Sequence, residues 1–254
     1  MTSIKQVASQ LDRLFSKWDY EKAIKLSDNE AKTRDYLVEP FFEILGYQKM
    51  DNFSHEFSLK MSHGHVKKID MVITLNRKSP IMLIECKKAT SNLTKKHLNQ
   101  LSTYFDNHRD SKVGILTNGI IYEFYSLKWN DERKLNDNPF IIFDLNDFTK
   151  ADLEEIAVFH LSQFDTKNIL EISEEKYFLD DFNSGLTKTL YPAGDQLIKL
   201  VFQSMNGKRI TTKVQERIRN LINSISIQNS LEEIKYLEAK QSNTGVHTSA
   251  EELK

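Results

Sequence analysis

Apolar positions change their spacing several times along the chain, and each change predicts a new element of secondary structure. Between residues 4 and 18 they recur every three or four positions, which is typical of an amphipathic helix. A second helix is predicted to begin at about Ser27. It is expected to end at Gly46, because glycine tolerates the positive φ at a helix C-terminus. Pro40 falls inside this helix and is expected to kink or interrupt it. The chain therefore begins with two helices.

The next segment has the composition of β-strands. Residues 66–75 (VKKIDMVITL) and 81–88 (IMLIECKK) are rich in β-branched and aliphatic side chains, and their short connector predicts an antiparallel hairpin. Residues 113–126 predict a second hairpin that turns at Asn118-Gly119, since both residue types accept positive φ. Another strand is expected in the apolar run PFIIFDL.

Helical spacing returns between the hairpins and dominates the end of the chain. Residues 91–109 predict a helix that Ser91 or Asn92 would cap. Further helical patterns cover residues 151–164, 195–205 and 212–227. The order predicts an α/β (α+β) fold with one central mixed sheet flanked by helices in residues 1–165. Residues 166–254 are predicted to form a mostly helical accessory region, with a flexible tail from about residue 241.

Composition and charge restrict the expected partners and cellular compartment but do not identify a function. The 35 Lys and Arg residues nearly cancel the 36 Asp and Glu residues, so a polyanionic partner would have to meet a local basic patch. The single cysteine, Cys86, permits no disulfide within the chain, and no apolar run suggests a secretory signal or a membrane span. The expected location is the cytoplasm.

Three charged residues in the first hairpin form a candidate metal site. Glu85 and Lys87 share one face of a strand at a separation of about 6.6 Å, and Asp70 lies within the apolar run of the neighbouring strand. A buried charge needs a partner or a ligand. Two carboxylates on paired strands suit Mg²⁺, and the backbone carbonyl of Cys86 is a further candidate ligand. A lysine beside a metal can position the water that attacks a phosphodiester, or balance the developing charge.

A purely structural alternative exists for the same three residues. Asp70 and Lys87 can form a salt bridge while Glu85 lies at a strand end. Short motifs match by chance, and the spacing alone favours this structural interpretation.

The order of elements around these residues resembles the PD-(D/E)XK nuclease superfamily. It is most similar to the N-terminal nuclease domain of type I restriction enzyme motor subunits and to stand-alone restriction-like relatives. The similar segments are NEAKTRDYLVEPFFEILGY (29–47), KKIDMVI (67–73), MLIECKKA (82–89), QLSTYF (100–105) and VGILTNGIIYEFY (113–125). They span roughly residues 20–145, and the chain departs from the signature at Ile69, which stands where the signature has proline.

The resemblance implies a role for each matching residue. Asp70 and Glu85 would be metal ligands, and Lys87 the catalytic lysine. Glu30 would be the helix acid near the metal, and Gln100 with Tyr104 the QxxxY pair of the restriction and recombination branch. The implied cofactor is Mg²⁺, with Mn²⁺ as a substitute, and the implied partner is DNA.

The peripheral residues each have a structural alternative. Glu30 can form a capping box with Ser27, although helical spacing also puts it on one stripe with Leu37. Tyr104 can be a half-buried core residue beside an exposed Gln100.

Other polar groups are ambiguous or weak signals. A basic group near the strand end can bind phosphates or simply be solvated: Lys88, Lys95, Lys96 and His97. The same holds for a basic segment that follows residue 205: Lys208, Arg209, Lys213, Arg217 and Arg219. His55, His63 and His65 lack regular zinc-ligand spacing and are interpreted as loop histidines.

The sequence therefore predicts a Mg²⁺-dependent DNA endonuclease of restriction type, acting in defence or DNA processing. A homodimer or restriction-system subunits are candidate protein partners. Two alternatives stay open: a catalytically silent nuclease-like module that binds DNA or assists assembly, and a nuclease with RNA as its substrate. No Walker A loop is present in the sequence, so none of these hypotheses includes ATP-driven translocation.

Overall fold

A computed structural model describes residues 2–60, 66–75, 79–108, 110–190, 193–205 and 209–224. Contacts between residues divide the chain into two units, Met1–Phe178 and Leu179–Lys254. The division falls inside one long helix, and all the described strands belong to the first unit. The domain boundary at residue 165 stays a prediction of the sequence pattern.

The first unit begins and ends with helices and has its sheet in between. The helices are α1 (Ile4–Phe15), α2 (Tyr20–Leu26), α3 (Glu30–Thr33), a π-helical turn (Arg34–Val38), α4 (Glu39–Ile44), α5 (Lys95–Asn107), α6 (Lys150–Ala157) and, as far as Phe178, α7 (Thr166–Leu190). The strands are β1 (Phe53–Lys60), β2 (Val66–Thr74), β3 (Pro80–Cys86), β4 (Val113–Thr117), β5 (Ile121–Lys128), β6 (Asp131–Leu135) and β7 (Ile141–Asp144).

The sheet is mixed, as the sequence predicted. Its strands lie in the order β1-β2-β3-β4-β5, and β6 and β7 each pair with β5. The β2–β3 and β4–β5 hairpins are antiparallel, whereas β3 and β4 are parallel and connected through α5. A parallel pair needs such a crossover, because a tight turn cannot return the chain to the same end of the sheet. The predicted fold class is confirmed, although the sequence pattern missed β1 and β6.

Each face of the sheet has its own hydrophobic core. One face carries Met71 and Ile84 and belongs to the cluster that includes Leu11 of α1 and Phe41 of α4. The opposite face, with Leu83, packs in the cluster that contains the buried side chains of α5. Met82, Ile84 and Cys86 of β3 therefore face the first core, whereas Leu83 and Glu85 belong to the side that α5 covers.

Gly114 of β4 allows α5 to lie close to this second face. A Cβ atom at position 114 would come within 2.9 Å of Phe105 and 3.0 Å of Leu101, both on α5. These separations are shorter than ordinary carbon contacts, so a larger residue would push the helix away from the sheet. The position of α5 matters because this helix supplies one wall of the candidate site.

The predicted helix from Ser27 to Gly46 is divided into shorter segments. Its N-cap is Asn29, whose side chain accepts from the backbone N–H of Lys32 at 2.9 Å, so the predicted Ser27 cap is wrong. Ser27 instead ends α2, a helix that the sequence pattern missed. Pro40 follows the π-helical turn and lies in the first turn of α4, where its missing N–H is tolerated. The predicted interruption is confirmed, and its form is a π-helical turn.

The predicted α5 helix and the predicted turn at Asn118-Gly119 are both present, but the cap residue and the turn conformation differ from those predicted. Thr94, in a capping box with His97, caps α5, so Ser91 and Asn92 do not. At the predicted hairpin turn only Gly119 has positive φ, at 80°. Asn118 uses its side-chain oxygen to accept the backbone N–H groups of residues 120 and 121. An asparagine at a turn can therefore act through its side chain while its own backbone stays ordinary.

The second unit contains α8 (Asp195–Ser204) and a further helix over residues 212–224. Ala193, Ile198 and Ile218 are its buried apolar residues. Within the predicted basic segment, Arg219 forms an ion pair with Asp195 at 2.6 Å. Lys208 and the predicted flexible tail lie outside the described residues. In the part of the chain that the structure describes, no helix has the length and apolar character needed to cross a bilayer.

Candidate metal and phosphodiester site

Strands β2 and β3 bring Asp70 close to Glu85, whereas Glu30 lies on α3 and does not form a three-acid group with them within 4.8 Å. The β2–β3 pairing runs as far as Met71 opposite Ile84, and beyond this point Asp70 continues it with its side chain. The carboxylate of Asp70 accepts the backbone N–H of Cys86 at 2.7 Å. Asp70 is thus fixed against the last residue of β3, next to Glu85 and Lys87 in the chain. The side chain of Cys86 is buried in the core, as expected for a small apolar residue.

Glu85 is the most deeply buried acid of the predicted set, with 1% of its surface exposed. Its Oε1 accepts a hydrogen bond from Nζ of Lys87 at 2.6 Å, while its Oε2 is buried without a hydrogen-bond partner. Burial, and secondly the nearby charge of Asp70, raise the pKa of Glu85 to about 7. Burial also raises the pKa of Asp70. Both carboxyl groups therefore bind a proton more readily than exposed acids do.

Lys87 follows β3 directly and keeps the strand's direction, because its backbone N–H donates to the carbonyl of Thr117 at 2.7 Å. Its ammonium group is largely buried. Burial by itself lowers the pKa of Lys87, but the hydrogen bond to Glu85 and the charges of Glu30 and Asp70 outweigh it and leave the pKa raised. Lys87 is therefore a cation at neutral pH, held between acids.

Glu30 approaches the same group from α3. Its Oε1 lies 3.7 Å from Nζ of Lys87, and more than half of its side chain is exposed. The predicted core-facing stripe through Glu30 and Leu37 is therefore wrong for Glu30, because the π-helical turn changes the phase of the helix between them. The predicted capping box with Ser27 is absent as well, since Asn29 is the N-cap.

Gln100 and Tyr104 lie one turn apart on α5, as their spacing required. The hydroxyl of Tyr104 donates to the backbone carbonyl of Lys68 at 2.8 Å, and Nε2 of Gln100 lies 3.3 Å from that hydroxyl. Tyr104 thus ties α5 to β2 two residues from Asp70. Gln100 is exposed at the site's opening, and a role for either residue in phosphate binding stays a prediction.

An open cleft of about 520 Å³ adjoins Glu30, Lys87 and Gln100, whereas Asp70 and Glu85 are not among its lining residues. Its lining residues are Glu30, Lys67, Lys87, Lys96, His97, Asn99, Gln100 and Thr103. Lys96 and His97 were among the predicted phosphate contacts, whereas Lys67, Asn99 and Thr103 were not. The cleft residues of α5 lie at helical spacing from Gln100, so the sequence pattern could have predicted them. A cleft with three lysines is suited to a polyanion.

A second polar cluster lies between the π-helical turn, α4 and β1. Asp35, Glu39 and His55 each offer a ligand atom, and these atoms all lie within 4.8 Å of one another. Glu39 is buried, and its Oε2 pairs with Nζ of Lys49 at 2.8 Å. Burial lowers the pKa of His55. His55 belongs to β1, so its interpretation as a loop residue is wrong, whereas His63 and His65 lie outside the described residues.

The mixed sheet, with acids and a lysine at adjoining strand ends, is the arrangement that the sequence led us to expect of a nuclease-like domain. Residues 29–138 match the family model described as "Type I restriction enzyme R protein N terminus (HSDR_N)". This match confirms the resemblance to the N-terminal domain of type I restriction enzymes and supports a restriction-nuclease-like domain in the matched part of the chain. The match includes every predicted site residue: Glu30, Asp70, Glu85, Cys86, Lys87, Gln100 and Tyr104.

No curated protein matches the chain. Among solved structures, the chain is similar to one in a "cryoEM structure DrdV-DNA complex", with 14% sequence identity and a TM-score of 0.39. That similarity covers 62% of this chain and 97% of the other.

Proposed function

We propose that the chain is a Mg²⁺-dependent DNA endonuclease of restriction type, with Asp70, Glu85 and Lys87 as its catalytic centre. The observation that carries the proposal is Oε2 of Glu85, a buried carboxylate oxygen without a hydrogen-bond partner beside Asp70 and Lys87. A purely structural salt bridge gives no reason to bury a second carboxylate next to the first, since desolvating acids is costly. A divalent cation supplies that reason.

The donor set fits Mg²⁺, which prefers oxygen ligands and keeps several of its waters. Asp70 and Glu85 would hold the ion, with the Cys86 carbonyl and Glu30 as the further ligands that the sequence predicts. When bound, the ion would polarise the phosphoryl oxygen and make a water more acidic. Mn²⁺ has similar ligand preferences and is expected to substitute.

The protein's own groups account for the rest of the chemistry. Lys87 is held as a cation by Glu85 and Glu30, so its ammonium group can stabilise negative charge that develops on the scissile phosphate. Lys67 and Lys96 line the cleft and would contact neighbouring phosphates. Tyr104 holds α5 against β2, which fixes the distance between the cleft wall and the acids.

Replacing Asp70 by asparagine tests the assignment. We expect Mg²⁺ and Mn²⁺ affinity to fall at least about tenfold, because one charged ligand is lost. Cleavage of plasmid DNA at limiting Mg²⁺ should be lost with it. Isothermal titration and a gel assay, with EDTA as a metal-free control, measure the two effects.

The matched control for this variant is Asp147→Asn, a change at an exposed acid outside the site. Metal-independent binding of DNA without cleavage by the wild-type chain would favour the silent module instead. Preferential cleavage of RNA in a mixture with DNA would identify RNA as the substrate. Dimer formation and restriction-system partner subunits stay predictions of the sequence.

Lys96→Ala tests the cleft as the path of the DNA backbone. Removing one phosphate contact should weaken DNA binding for every sequence and lower the slope of log K against log[salt] by about one. Fluorescence anisotropy with labelled duplexes at several salt concentrations measures both. Lys25→Ala, at an exposed position on α2, should leave the slope unchanged. An unchanged slope for Lys96→Ala would show that Lys96 does not contact the DNA backbone.

A further inference from the structure

The cluster of Asp35, Glu39 and His55 is separate in composition from the proposed magnesium site. It combines two carboxylates with an imidazole, whereas Asp70 and Glu85 offer oxygen atoms only. Its residues come from the π-helical turn, the first position of α4 and strand β1. The sequence pattern does not reveal this group, because a loop separates His55 from the two acids.

Two polar atoms at the centre of this cluster lack hydrogen bonds. Oε1 of Glu39 and Nε2 of His55 are both buried and make no hydrogen bond, although they lie 2.8 Å apart, which is ion-pair distance for a protonated His55. Their approach therefore has the distance of a hydrogen bond without forming one. Glu39 itself is 5% exposed, so water does not readily replace the missing partner.

The distances match those between ligands of one metal ion. A transition metal holds carboxylate oxygens and imidazole nitrogens at about 2.0–2.2 Å, which places adjacent donor atoms roughly 3 Å apart. The Glu39 and His55 atoms already have this separation, and the Asp35 carboxylate, whose Oδ1 pairs with Arg34 at 3.0 Å, lies within 4.8 Å of both. Lys49 pairs with the other oxygen of Glu39, and its side chain is about half exposed, so it can remain or move without blocking Oε1.

We propose that Asp35, Glu39 and His55 form a second metal site, which takes a divalent transition-metal ion of the Zn²⁺ type. Imidazole favours such ions over Mg²⁺, which prefers oxygen donors and its own waters. The ion would connect the helical segment that begins at Glu30 to β1, the first strand of the sheet. It would therefore stabilise one wall of the restriction-nuclease-like domain, and this role does not depend on nuclease activity.

The test is titration of the full metal-free chain with Zn²⁺ in the presence of excess Mg²⁺, which would fill the all-oxygen site. We expect one Zn²⁺ per chain and a rise in Tm on binding. Co²⁺ gives a second readout, because its visible absorption reports nitrogen and oxygen ligation.

His55→Gln should weaken Zn²⁺ binding about 100-fold or more, since even outer-shell partners of metal ligands cost about 10- to 100-fold. Glu39→Gln should do the same, and His55→Gln is the safer variant because the side chain of His55 is only partly buried. Two controls should retain Zn²⁺: Asp70→Asn at the proposed magnesium site, and His108→Gln at a histidine outside both clusters. Circular dichroism checks that each variant is folded.

Three outcomes would overturn the proposal: no Zn²⁺ binding by the folded wild-type chain, full binding by His55→Gln, or loss of binding in Asp70→Asn alone. The last outcome would locate Zn²⁺ at the Asp70 and Glu85 pair. Failure of DNA cleavage in the wild-type chain would contradict the proposed function and leave this second site unaffected.

Discussion

Lys87→Ala is expected to slow Mg²⁺-dependent DNA cleavage by about 10²- to 10³-fold, the usual effect of removing one preorganised group that stabilises developing charge. The variant should still bind Mg²⁺ at about pH 8, because Lys87 is a neighbour of the proposed ligands and not one of them. Single-turnover cleavage of a labelled duplex, with Mg²⁺ affinity measured in parallel, separates the two effects.

Lys25→Ala is the matched control, since Lys25 is an exposed lysine of α2 and is not among the residues that line the cleft. Its cleavage rate should be close to that of the wild-type chain. Cleavage at the wild-type rate by Lys87→Ala would contradict the catalytic role, and equal losses in both lysine variants would point to a general effect of charge.

Glu85 should make the metal-free protein less stable as pH rises towards neutrality. Its pKa is about 7 in the folded chain against an ordinary value of 4.5, so the folded state binds more protons between these two values. The stabilisation is complete below about pH 4.5 and is lost as pH rises through about 7. At about 1.4 kcal/mol per pKa unit, the loss is on the order of 3 kcal/mol.

Urea unfolding in EDTA from about pH 5 to about pH 8 measures this loss as a fall in the free energy of unfolding. Glu85→Gln should reduce this fall in the free energy of unfolding. Glu43→Gln, which changes an exposed acid of α4, should leave the fall unchanged. The lowered pKa values of His55, His97 and His160 act in the opposite direction, so the difference between wild type and Glu85→Gln isolates the carboxylate.

Mg²⁺ should reverse the effect above about pH 7, because it binds the ionised carboxylate that burial disfavours. The two linked equilibria give the proposed site a simple signature: metal affinity rises with pH while metal-free stability falls. A fall of equal size in Glu85→Gln would assign the pH dependence to other groups.

Burial of both acids has a cost in stability that Lys87 and the backbone N–H of Cys86 offset only in part. Lys87 neutralises one oxygen of Glu85, and the other oxygen has no hydrogen-bond partner in the structure. Functional sites often retain such groups because the ligand, when present, supplies the missing interaction. Glu39 and His55 show the same pattern with a different donor set, which is why the two clusters lead to different metals.

The sequence by itself determined the elements whose information is local. Strand periodicity predicted which residues of β3 share a face, and so brought Glu85 and Lys87 together. Asn118 and Gly119 predicted the β4–β5 hairpin through the turn that such residues favour. The order of these segments predicted the mixed sheet, and the family match confirmed the resemblance on which the wider assignment rested.

Only the tertiary structure decided which groups meet across long separations. The hydroxyl of Tyr104 could serve a phosphate or a backbone carbonyl, and packing of α5 on β2 gave it the carbonyl of Lys68. The pairing of β1 with β2 and the π-helical turn before Pro40 together brought His55 to Glu39. Periodicity records the face on which a residue lies, whereas its partners depend on how elements distant in sequence pack together, and burial then sets the pKa of groups such as Glu85.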